Sequence, residues 1–234
     1  MPRTHEEMAL TAELVALVER IEPDPGPRPG SHEPSDAEFA AMTRDVLAGA
    51  PGDDLWLFAY GSLIWKPDFD FVEYQRATAT GWHRAFCMTI TRWRGTREVP
   101  ALMMALDRGG SCTGVAYRLP RGDRHGQIER LLRRETDDIP PTNVPRWLNI
   151  AAAGKPVRAL AFVASQQGLS YAGRQSHEEV AAVIARAAGH WGSAAQYLHR
   201  TVAMLEEHGI RDRNLWVLQK LVAEEIRRNH RRVG

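Results

Sequence analysis

A short apolar segment that ends in Tyr-Gly-Ser constrains the fold of this chain more than any other feature. Residues 55–59 (Leu-Trp-Leu-Phe-Ala) are apolar and aromatic, which is typical of an interior strand. Tyr60, Gly61 and Ser62 follow, and the chain then becomes apolar again. Gly61 permits a positive φ, at which successive N–H groups point into one concavity and bind an anion. The pattern predicts a buried strand that opens into an anion-binding turn, with an ordinary turn between core strands as the alternative.

Length and charge bound the class of protein. The chain has 234 residues, of which 44% are hydrophobic and 25% charged, so it can bury one good core. We expect one domain over residues 51–230, preceded by a helical and proline-rich extension over residues 1–50. The formal net charge of +1 gives no field that would attract nucleic acid or anionic lipid. We therefore expect a small-molecule substrate and neither a nucleic-acid nor a membrane partner, with the oligomeric state left open.

Cysteine and histidine spacing gives no support to a metal or redox site. Cys87 and Cys112 stand alone, without the CxxC spacing of such sites, and the nine histidines form no HExxH pair. The N-terminus has no signal-peptide pattern, and no apolar run approaches the roughly 18 residues of a membrane span. We expect free thiols, no bound metal and a cytoplasmic location.

Familiar nucleotide and hydrolase motifs are also missing from the sequence. There is no P-loop, no GxGxxG after a strand and no GxSxG. Nucleotide hydrolysis, dinucleotide chemistry and serine-hydrolase chemistry therefore lose their usual support.

Periodicity predicts an α+β fold. Apolar residues lie on one helical stripe over residues 10–21, prolines exclude a regular element over 23–30, and a second helix is expected over 35–47. The next region predicts an antiparallel, barrel-like sheet with strands at 55–59, 71–80, 85–92, 101–106, 112–119, 147–151 and 157–164. Helices are expected from Asp123 to Arg134 and throughout the C-terminal third, where Ser176 to Glu179 and Ser193 to Gln196 match capping boxes.

Glu135 is the candidate for acid–base chemistry. It lies where the helix that ends in Arg133 and Arg134 gives way to a loop, so it can project into a pocket with its pKa set by burial and neighbouring charge. A carboxylate placed in this way can act as a general base. The alternative is a surface ion pair between Glu135 and a nearby arginine.

Several segments, in order, resemble the ChaC-like γ-glutamylcyclotransferases over about residues 54–220. The first is Phe-Ala-Tyr-Gly-Ser-Leu-Ile-Trp-Lys-Pro at 58–67. The others are Gly-Trp-His-Arg-Ala-Phe-Cys at 81–87, Gly-Gly-Ser-Cys-Thr-Gly-Val-Ala-Tyr-Arg at 109–118, Arg134-Glu135, Tyr-Ala-Gly at 171–173, Gly-His-Trp-Gly-Ser at 189–193 and Gly-Ile-Arg-Asp at 209–212.

The resemblance implies a γ-glutamylcyclotransferase-like fold, a small mixed β-barrel with flanking helices and a C-terminal helical segment. It also implies a lyase that splits glutathione into 5-oxoproline and Cys-Gly without metal or organic cofactor. Glu135 would be the proton acceptor. Tyr171 would hydrogen-bond the substrate, although core packing explains that residue equally well. The γ-glutamyl group would lie on the loop formed by Leu57, Phe58, Ala59, Tyr60, Gly61 and Ser62.

Two departures from the family pattern bear on specificity. The family usually shows Gly-Tyr-Gly-Ser-Leu, whereas this chain has Ala59 at the first position. After Glu135, many relatives have a short turn with glycine and tyrosine, whereas this chain has an acidic and proline-rich loop over 136–143. Two alternative functions therefore stay open: a cyclotransferase for other γ-glutamyl amino acids or amines, and a non-catalytic regulatory or binding module on the same fold.

Overall fold

The structure is a computed structural model that describes residues 7–233, and its backbone contacts group into two compact units. The barrel unit contains Gly26–Thr89 and Met103–Arg174. The helical unit contains Ile90–Leu102 and the described parts of Met1–Pro25 and Gln175–Gly234. The division into an extension over 1–50 and a domain over 51–230 stays a prediction, and the first six residues of that extension lie outside the described residues.

The helices and strands follow one another in a mixed order. The helices are α1 (Ala12–Ala16), α2 (Asp36–Ala48), α3 (Ser62–Trp65), α4 (Arg124–Glu135), α5 (His177–Ile184), α6 (Ala194–Glu207) and α7 (Arg213–Val233). The strands are β1 (Trp56–Ala59), β2 (Glu73–Ile90), β3 (Ala101–Arg118), β4 (Asn143–Ala152), β5 (Lys155–Ala164), β6 (Ala188–Gly189) and β7 (Gly192–Ser193). None of the described helices is long and apolar enough to cross a membrane.

Strands β1 to β5 close into a barrel with the strand order β1-β3-β2-β4-β5. The barrel is mixed, because β1 runs antiparallel to β3 but parallel to β5, where Leu57 pairs with Leu160. Strand β3 also pairs in parallel with β5, at Leu106 and Val163. The predicted α+β class, a small mixed barrel with accompanying helices, is therefore confirmed.

The predicted strand breaks near residues 81–84 and 108–111 are wrong. Strands β2 and β3 each run through these positions without interruption. Gly81, Gly109 and Gly110 adopt φ values of 84°, 101° and 66° inside the strands. A glycine with positive φ allows a local distortion of a strand, as in a β-bulge, without ending it. Turn-forming glycines in the sequence thus mark distortions in two long strands.

The β4–β5 hairpin is longer at both ends than the sequence pattern predicts. Its register runs from Asn143 opposite Ala164 to Ala152 opposite Lys155. Ala153 and Gly154 connect the strands with φ values of 47° and 76°. Two successive residues with positive φ are typical of the tight turn that matches the twist of a hairpin.

The helix predicted over residues 10–21 is also wrong in extent, because α1 ends at Ala16. The chain beyond it bonds to the segment before α6 instead. The Glu19 carboxylate accepts a hydrogen bond of 2.6 Å from the Ser193 hydroxyl, and the Glu22 N–H donates to the Gly189 carbonyl. Tertiary hydrogen bonds therefore replace the helical ones that the apolar stripe predicted.

The helix starts predicted at Ser35, Asp123, Ser176 and Ser193 are confirmed. Ser35 caps α2 and Ser176 caps α5, each in a complete capping box with a glutamate three residues later. Asp123 caps α4, and the Ser193 hydroxyl accepts from the Gln196 N–H at the start of α6. The capping box predicted at Ser193 is incomplete, because the Ser193 N–H donates to the Glu19 carboxylate and not to the Gln196 side chain.

Close packing of β1 against β3 depends on Gly114. A Cβ atom at this position would lie 2.3 Å from the Ala59 carbonyl oxygen and 2.9 Å from the Phe58 ring. Phe58 and Ala59 are fully buried, so neither can move aside at low cost. The absence of a side chain at residue 114 therefore fixes how closely β3 approaches the end of β1.

We expect Gly114→Ala to destabilise the protein by about 1–3 kcal/mol, the usual cost of overpacking a core. At about 2–4 °C per kcal/mol for a chain of this size, the melting temperature should fall by several degrees. Gly52→Ala is the matched control, because no atom lies within 4 Å of a Cβ there. Equal melting temperatures for the two variants would contradict the packing argument.

Candidate active site

Several loops and side chains of the barrel unit converge at the carboxyl end of β5. Because β1 and β5 are parallel, the residues that follow β1 emerge at the level of Phe162 and Val163. On either side of β5, Leu106 of β3 pairs with Val163, and Asn143 of β4 pairs with Ala164. The chain segments around residues 60–62, 107 and 143 therefore share one end of the barrel.

The predicted binding loop, residues 57–62, is mostly buried. Leu57, Phe58 and Ala59 have no exposed surface, so the methyl group in which Ala59 departs from the family pattern lies in the core. The Tyr60 hydroxyl donates a 2.8 Å hydrogen bond to the Phe162 carbonyl. Ser62, at the start of α3, is the one residue of the six with a partly exposed surface. Apart from Ser62, the loop can therefore offer a ligand mainly its backbone.

The positive φ expected for Gly61 is wrong. Gly61 has φ −142° and ψ −128°, and it is the N-cap residue of α3. No side chain caps this helix, so its first N–H groups have no side-chain acceptor. The loop thus opens directly into a short helical turn, and its N–H groups are oriented by that turn.

Arg84, which the sequence analysis did not single out, holds the loop from the side of β2. Its guanidinium is buried and donates a 2.7 Å hydrogen bond to the Tyr60 carbonyl and another to the Thr113 carbonyl. The Trp-His-Arg sequence at 82–84 was the available signal. Arg84 therefore places a positive charge next to the residues that follow β1.

Glu135 is the last residue of α4, and its side chain is only 15% exposed. One carboxylate oxygen lies 3.2 Å from Nε of Arg134, and the other accepts a hydrogen bond of 3.3 Å from Nδ2 of Asn143. Asn143 also donates to the Glu135 carbonyl at 3.1 Å. The carboxylate is therefore held from both sides, so the exposed ion pair considered as an alternative does not describe it.

Arg134 connects Glu135 to the segment after the binding loop. Its guanidinium forms an ion pair of 2.8 Å with Asp68 and donates to the Lys66 carbonyl. Its side chain is as buried as that of Glu135, at 15% exposed. Arg134 thus fixes the carboxylate relative to the chain that leaves α3.

Burial raises the pKa of the Glu135 carboxyl above its ordinary value. The charge and hydrogen bond of Arg134 and the hydrogen bond of Asn143 act in the opposite direction, but they offset only part of the effect, and Asp137 adds to it. A carboxyl group with a raised pKa can accept a proton near neutral pH more readily than an exposed glutamate can. The environment of Glu135 therefore suits a general base.

Tyr171 shows the core packing that the sequence analysis gave as one of its two roles, while its contact with the substrate stays a prediction. Its ring packs against a cluster of Cys87, Met88, Ala105 and Ala164. Its hydroxyl leaves this cluster and donates a 2.8 Å hydrogen bond to the buried carboxylate of Asp107. The sequence analysis missed Asp107, because no local pattern distinguishes it from a charged residue before a turn.

The loop over 136–143 links Glu135 to Tyr171. Its last residue, Asn143, contacts Glu135, while the preceding Thr142 hydroxyl accepts from the Ser170 N–H at 3.1 Å. Gly168 packs against Thr142 so closely that a Cβ atom would lie 2.6 Å from its hydroxyl oxygen. The structure therefore brings Glu135, Tyr171 and the 57–62 loop to the same end of the barrel.

No cluster of His, Cys, Asp or Glu side chains within the described residues has the arrangement needed to hold a metal ion. Cys87 and Cys112 are both buried and free. Burial raises the pKa of the Cys87 thiol to about 12, with a smaller contribution from Asp107. A thiol with so high a pKa is a poor nucleophile.

Comparison with known proteins gives a family match for most of the chain. Residues 55–225 match the family described as ChaC-like protein. The chain is 37% identical over 193 residues to a glutathione-specific γ-glutamylcyclotransferase of Escherichia coli (strain K12), covering 80% of this chain and 83% of that protein. It is 30% identical over 195 residues to glutathione-specific γ-glutamylcyclotransferase 1 of Homo sapiens, with coverages of 80% and 83%.

The fold has a counterpart among solved structures. A crystal structure of a yeast γ-glutamyl cyclotransferase specific to glutathione matches with a TM-score of 0.68 at 20% identity. The match covers 74% of this chain and 97% of the yeast protein. This likeness shows that the two proteins share a fold.

The raised pKa of Glu135 predicts a gain in stability when the charge is removed. The folded protein holds the Glu135 proton more tightly than the unfolded chain does, so this contribution to stability is complete below the unfolded-state pKa. It is lost as the pH rises through the raised folded-state pKa. Glu135→Gln should therefore melt at a higher temperature than the wild type at pH 8.

Thermal unfolding measured at intervals from pH 8 to pH 5 tests this sign. The difference between Glu135→Gln and wild type should shrink as the pH falls. Glu129→Gln, on the same helix, serves as the control, because its carboxylate forms a partly exposed ion pair with Arg133. A Glu135→Gln variant that is less stable than wild type at pH 8 would contradict the prediction.

Proposed function

Because the chain belongs to the ChaC-like protein family, we propose that it is a γ-glutamylcyclotransferase that cleaves glutathione to 5-oxoproline and Cys-Gly. The observation that carries this proposal is the buried carboxylate of Glu135, held by Arg134 and Asn143 at the end of the barrel where the binding loop emerges. The relatives named above supply the substrate class.

The reaction needs no protein nucleophile. The α-amine nitrogen of the γ-glutamyl residue attacks the γ-carbonyl carbon of the same residue and closes a five-membered lactam. The bond from this carbon to the cysteine nitrogen breaks, and the proton lost by the amine is balanced by a proton gained by the leaving nitrogen. Holding the amine against the carbonyl can supply about 7–11 kcal/mol of the barrier.

Glu135 acts in this proposal as the group that moves the proton. It takes a proton from the α-ammonium, which frees the lone pair for attack, and then delivers this proton to the leaving nitrogen. The second proton that the α-nitrogen loses when the lactam closes passes by the same carboxylate to the departing amine, which leaves as an ammonium. Burial favours both steps. A carboxylate with a raised pKa binds the proton of the substrate more strongly, and the carboxyl group that results can still donate that proton. Arg134 and Asn143 keep the carboxylate in one orientation during the exchange.

The loop of Leu57, Phe58, Ala59, Tyr60, Gly61 and Ser62 would hold the γ-glutamyl group, and Tyr171 would hydrogen-bond it. Support for the loop comes from the N-terminus of α3, which no side chain caps, and from the buried guanidinium of Arg84 behind Tyr60. Both favour a carboxylate in this position. Because all side chains of the loop except Ser62 are buried, the contacts would come mainly from the backbone.

We further propose that the reaction proceeds without metal or organic cofactor in the cytoplasm. The proton transfers described above require only a carboxyl group and a positioned substrate. The two free, buried cysteines suit a reducing compartment, where thiols stay unpaired.

Two other functions differ from this proposal in a specific way. A cyclotransferase for other γ-glutamyl amino acids or amines would use the same residues, with selectivity set by the unusual loop over 136–143. A non-catalytic binding module would have no use for a carboxylate held at a raised pKa, so Glu135 argues against it.

We expect Glu135→Gln to lower kcat for glutathione at least about 100-fold while KM changes little, because the substitution removes the base and keeps the shape. Mass spectrometry of 5-oxoproline and Cys-Gly measures the turnover directly. Glu129→Gln is the matched control on α4 and should keep wild-type activity. Wild-type turnover by Glu135→Gln would assign the proton transfer to another group.

Substrate preference separates the two enzymatic alternatives. We expect kcat/KM for glutathione to exceed that for γ-glutamyl-alanine by at least about tenfold, a ratio that one or two additional contacts can supply. Both substrates are followed by release of 5-oxoproline. A higher kcat/KM for γ-glutamyl-alanine would replace glutathione by γ-glutamyl amino acids in general.

A further inference from the structure

Asp107 is a buried carboxylate whose hydrogen-bond partners are all neutral. It is 6% exposed. One oxygen accepts from the Arg108 N–H at 2.8 Å and from Nε2 of Gln166 at 2.9 Å, and the other accepts from the Tyr171 hydroxyl at 2.8 Å. No ion pair of Asp107 occurs in the described part of the chain. A buried charge of this kind is costly, and such charges concentrate at functional sites.

The proton between Tyr171 and Asp107 belongs to the tyrosine. Burial raises the pKa of Asp107, but hydrogen bonds from Tyr171, Gln166 and the Arg108 N–H outweigh it, so the pKa lies below its usual value. Burial and the Asp107 carboxylate raise the pKa of Tyr171 to about 12. The phenol therefore keeps its proton and donates a hydrogen bond to Asp107. The Tyr171 oxygen already accepts a hydrogen bond of 3.4 Å from Nε2 of Gln166, and it can enter further hydrogen bonds only as an acceptor.

This pair lies at the same end of the barrel as Glu135. Asp107 follows Leu106, which pairs with Val163 on one side of β5, and Asn143 pairs with Ala164 on the other side. Adjacent strands lie about 4.8 Å apart, so the backbones of Asp107 and Asn143 are separated by about 10 Å across β5. Asn143 contacts Glu135 directly. A ligand of a few residues can reach both carboxylates.

We propose that Asp107 is a positioning residue that makes Tyr171 a hydrogen-bond acceptor for the α-ammonium group of the γ-glutamyl substrate. This inference rests on the proposed function. An acceptor backed by a negative charge favours a cationic donor, and the α-ammonium is the one cationic group of glutathione at neutral pH.

The arrangement also suits the reaction that follows binding. When Glu135 removes one proton, the neutral amine keeps two N–H groups, and one of them can still donate to Tyr171. The amine nitrogen then stays fixed while its lone pair turns towards the γ-carbonyl. Asp107 acts only through the tyrosine, because its own oxygens are already occupied.

A double-mutant cycle with glutathione tests the coupling between the two residues. Tyr171→Phe and Asp107→Asn should each lower kcat/KM about tenfold, chiefly through KM, as expected for loss of a hydrogen bond to a charged group. The double variant should be no worse than Tyr171→Phe alone, because Asp107 has no route to the substrate without the hydroxyl. Asp45→Asn, an exposed carboxylate on α2, is the control for loss of charge.

A substrate analogue without the α-amine identifies the group that is recognised. Glutaryl-Cys-Gly has the shape of glutathione but cannot cyclise, so its inhibition constant reports binding alone. Asp107→Asn and Tyr171→Phe should leave this inhibition constant within about twofold of the wild-type value. The analogue has no ammonium group, so neither substitution removes a hydrogen bond to it.

Three outcomes overturn the inference. Additive losses in the double variant would mean that Asp107 does not act through Tyr171, and a neutral Asp107→Asn would mean that it does not act at all. Equal weakening of glutathione and the analogue would move the contact to another part of the substrate. A wild type that releases no 5-oxoproline from glutathione would contradict the proposed function itself. Normal wild-type turnover together with any of the three outcomes would contradict only the inference about Asp107.

Discussion

The parallel pairing of β1 with β5 is the constraint on which the rest of the site depends. In an all-antiparallel barrel, the chain would leave β1 and β5 at opposite ends. Here Leu57 pairs with Leu160 in parallel, so both strands release their carboxyl ends on the same side. Strand β3 can come close enough to cover β1 only because Gly114 has no side chain. The loop after β1, the residue after β5 and the strands beside β5 are thereby gathered in one place.

Two carboxylates are buried at this end, and hydrogen-bond geometry drives their pKa values apart. The contacts of Glu135 with Arg134 and Asn143 are long, at 3.2 and 3.3 Å, and burial dominates, so its pKa is raised. Asp107 accepts three bonds of 2.8 to 2.9 Å, which outweigh burial and lower its pKa. One group is therefore prepared to exchange a proton and the other to stay charged, the separation of roles that acid–base sites require.

Features that depend on residues close in sequence could be predicted, whereas features that depend on tertiary contacts could not. The capping box at Ser176 depends on residues three positions apart, so its sequence pattern was sufficient. Glu135 could be singled out as a candidate because a helix end and flanking arginines mark it. The positive φ predicted for Gly61 failed because α3 begins there, and the shortness of α1 follows from bonds to residues near 190. The roles of Arg84 and Asp107 depend on partners 24 or more positions away, which no local pattern records. Asn143 contacts Glu135 only because the loop between them folds back.

The proline-rich segment before α2 restrains both loops that carry the candidate residues. The Arg28 guanidinium donates to the carbonyls of Leu169 and Thr89, each at 2.8 Å, next to the loop that leads to Tyr171. Further along, His32 and Ile139 exchange backbone hydrogen bonds of 3.3 and 2.9 Å, next to the loop that follows Glu135. Loops without such bonds are the most mobile parts of a fold. Since prolines limit the freedom of the bridging segment itself, the two loops are tied to a stiff connector. The spacing between Glu135 and Tyr171 therefore depends on residues that lie outside the barrel strands.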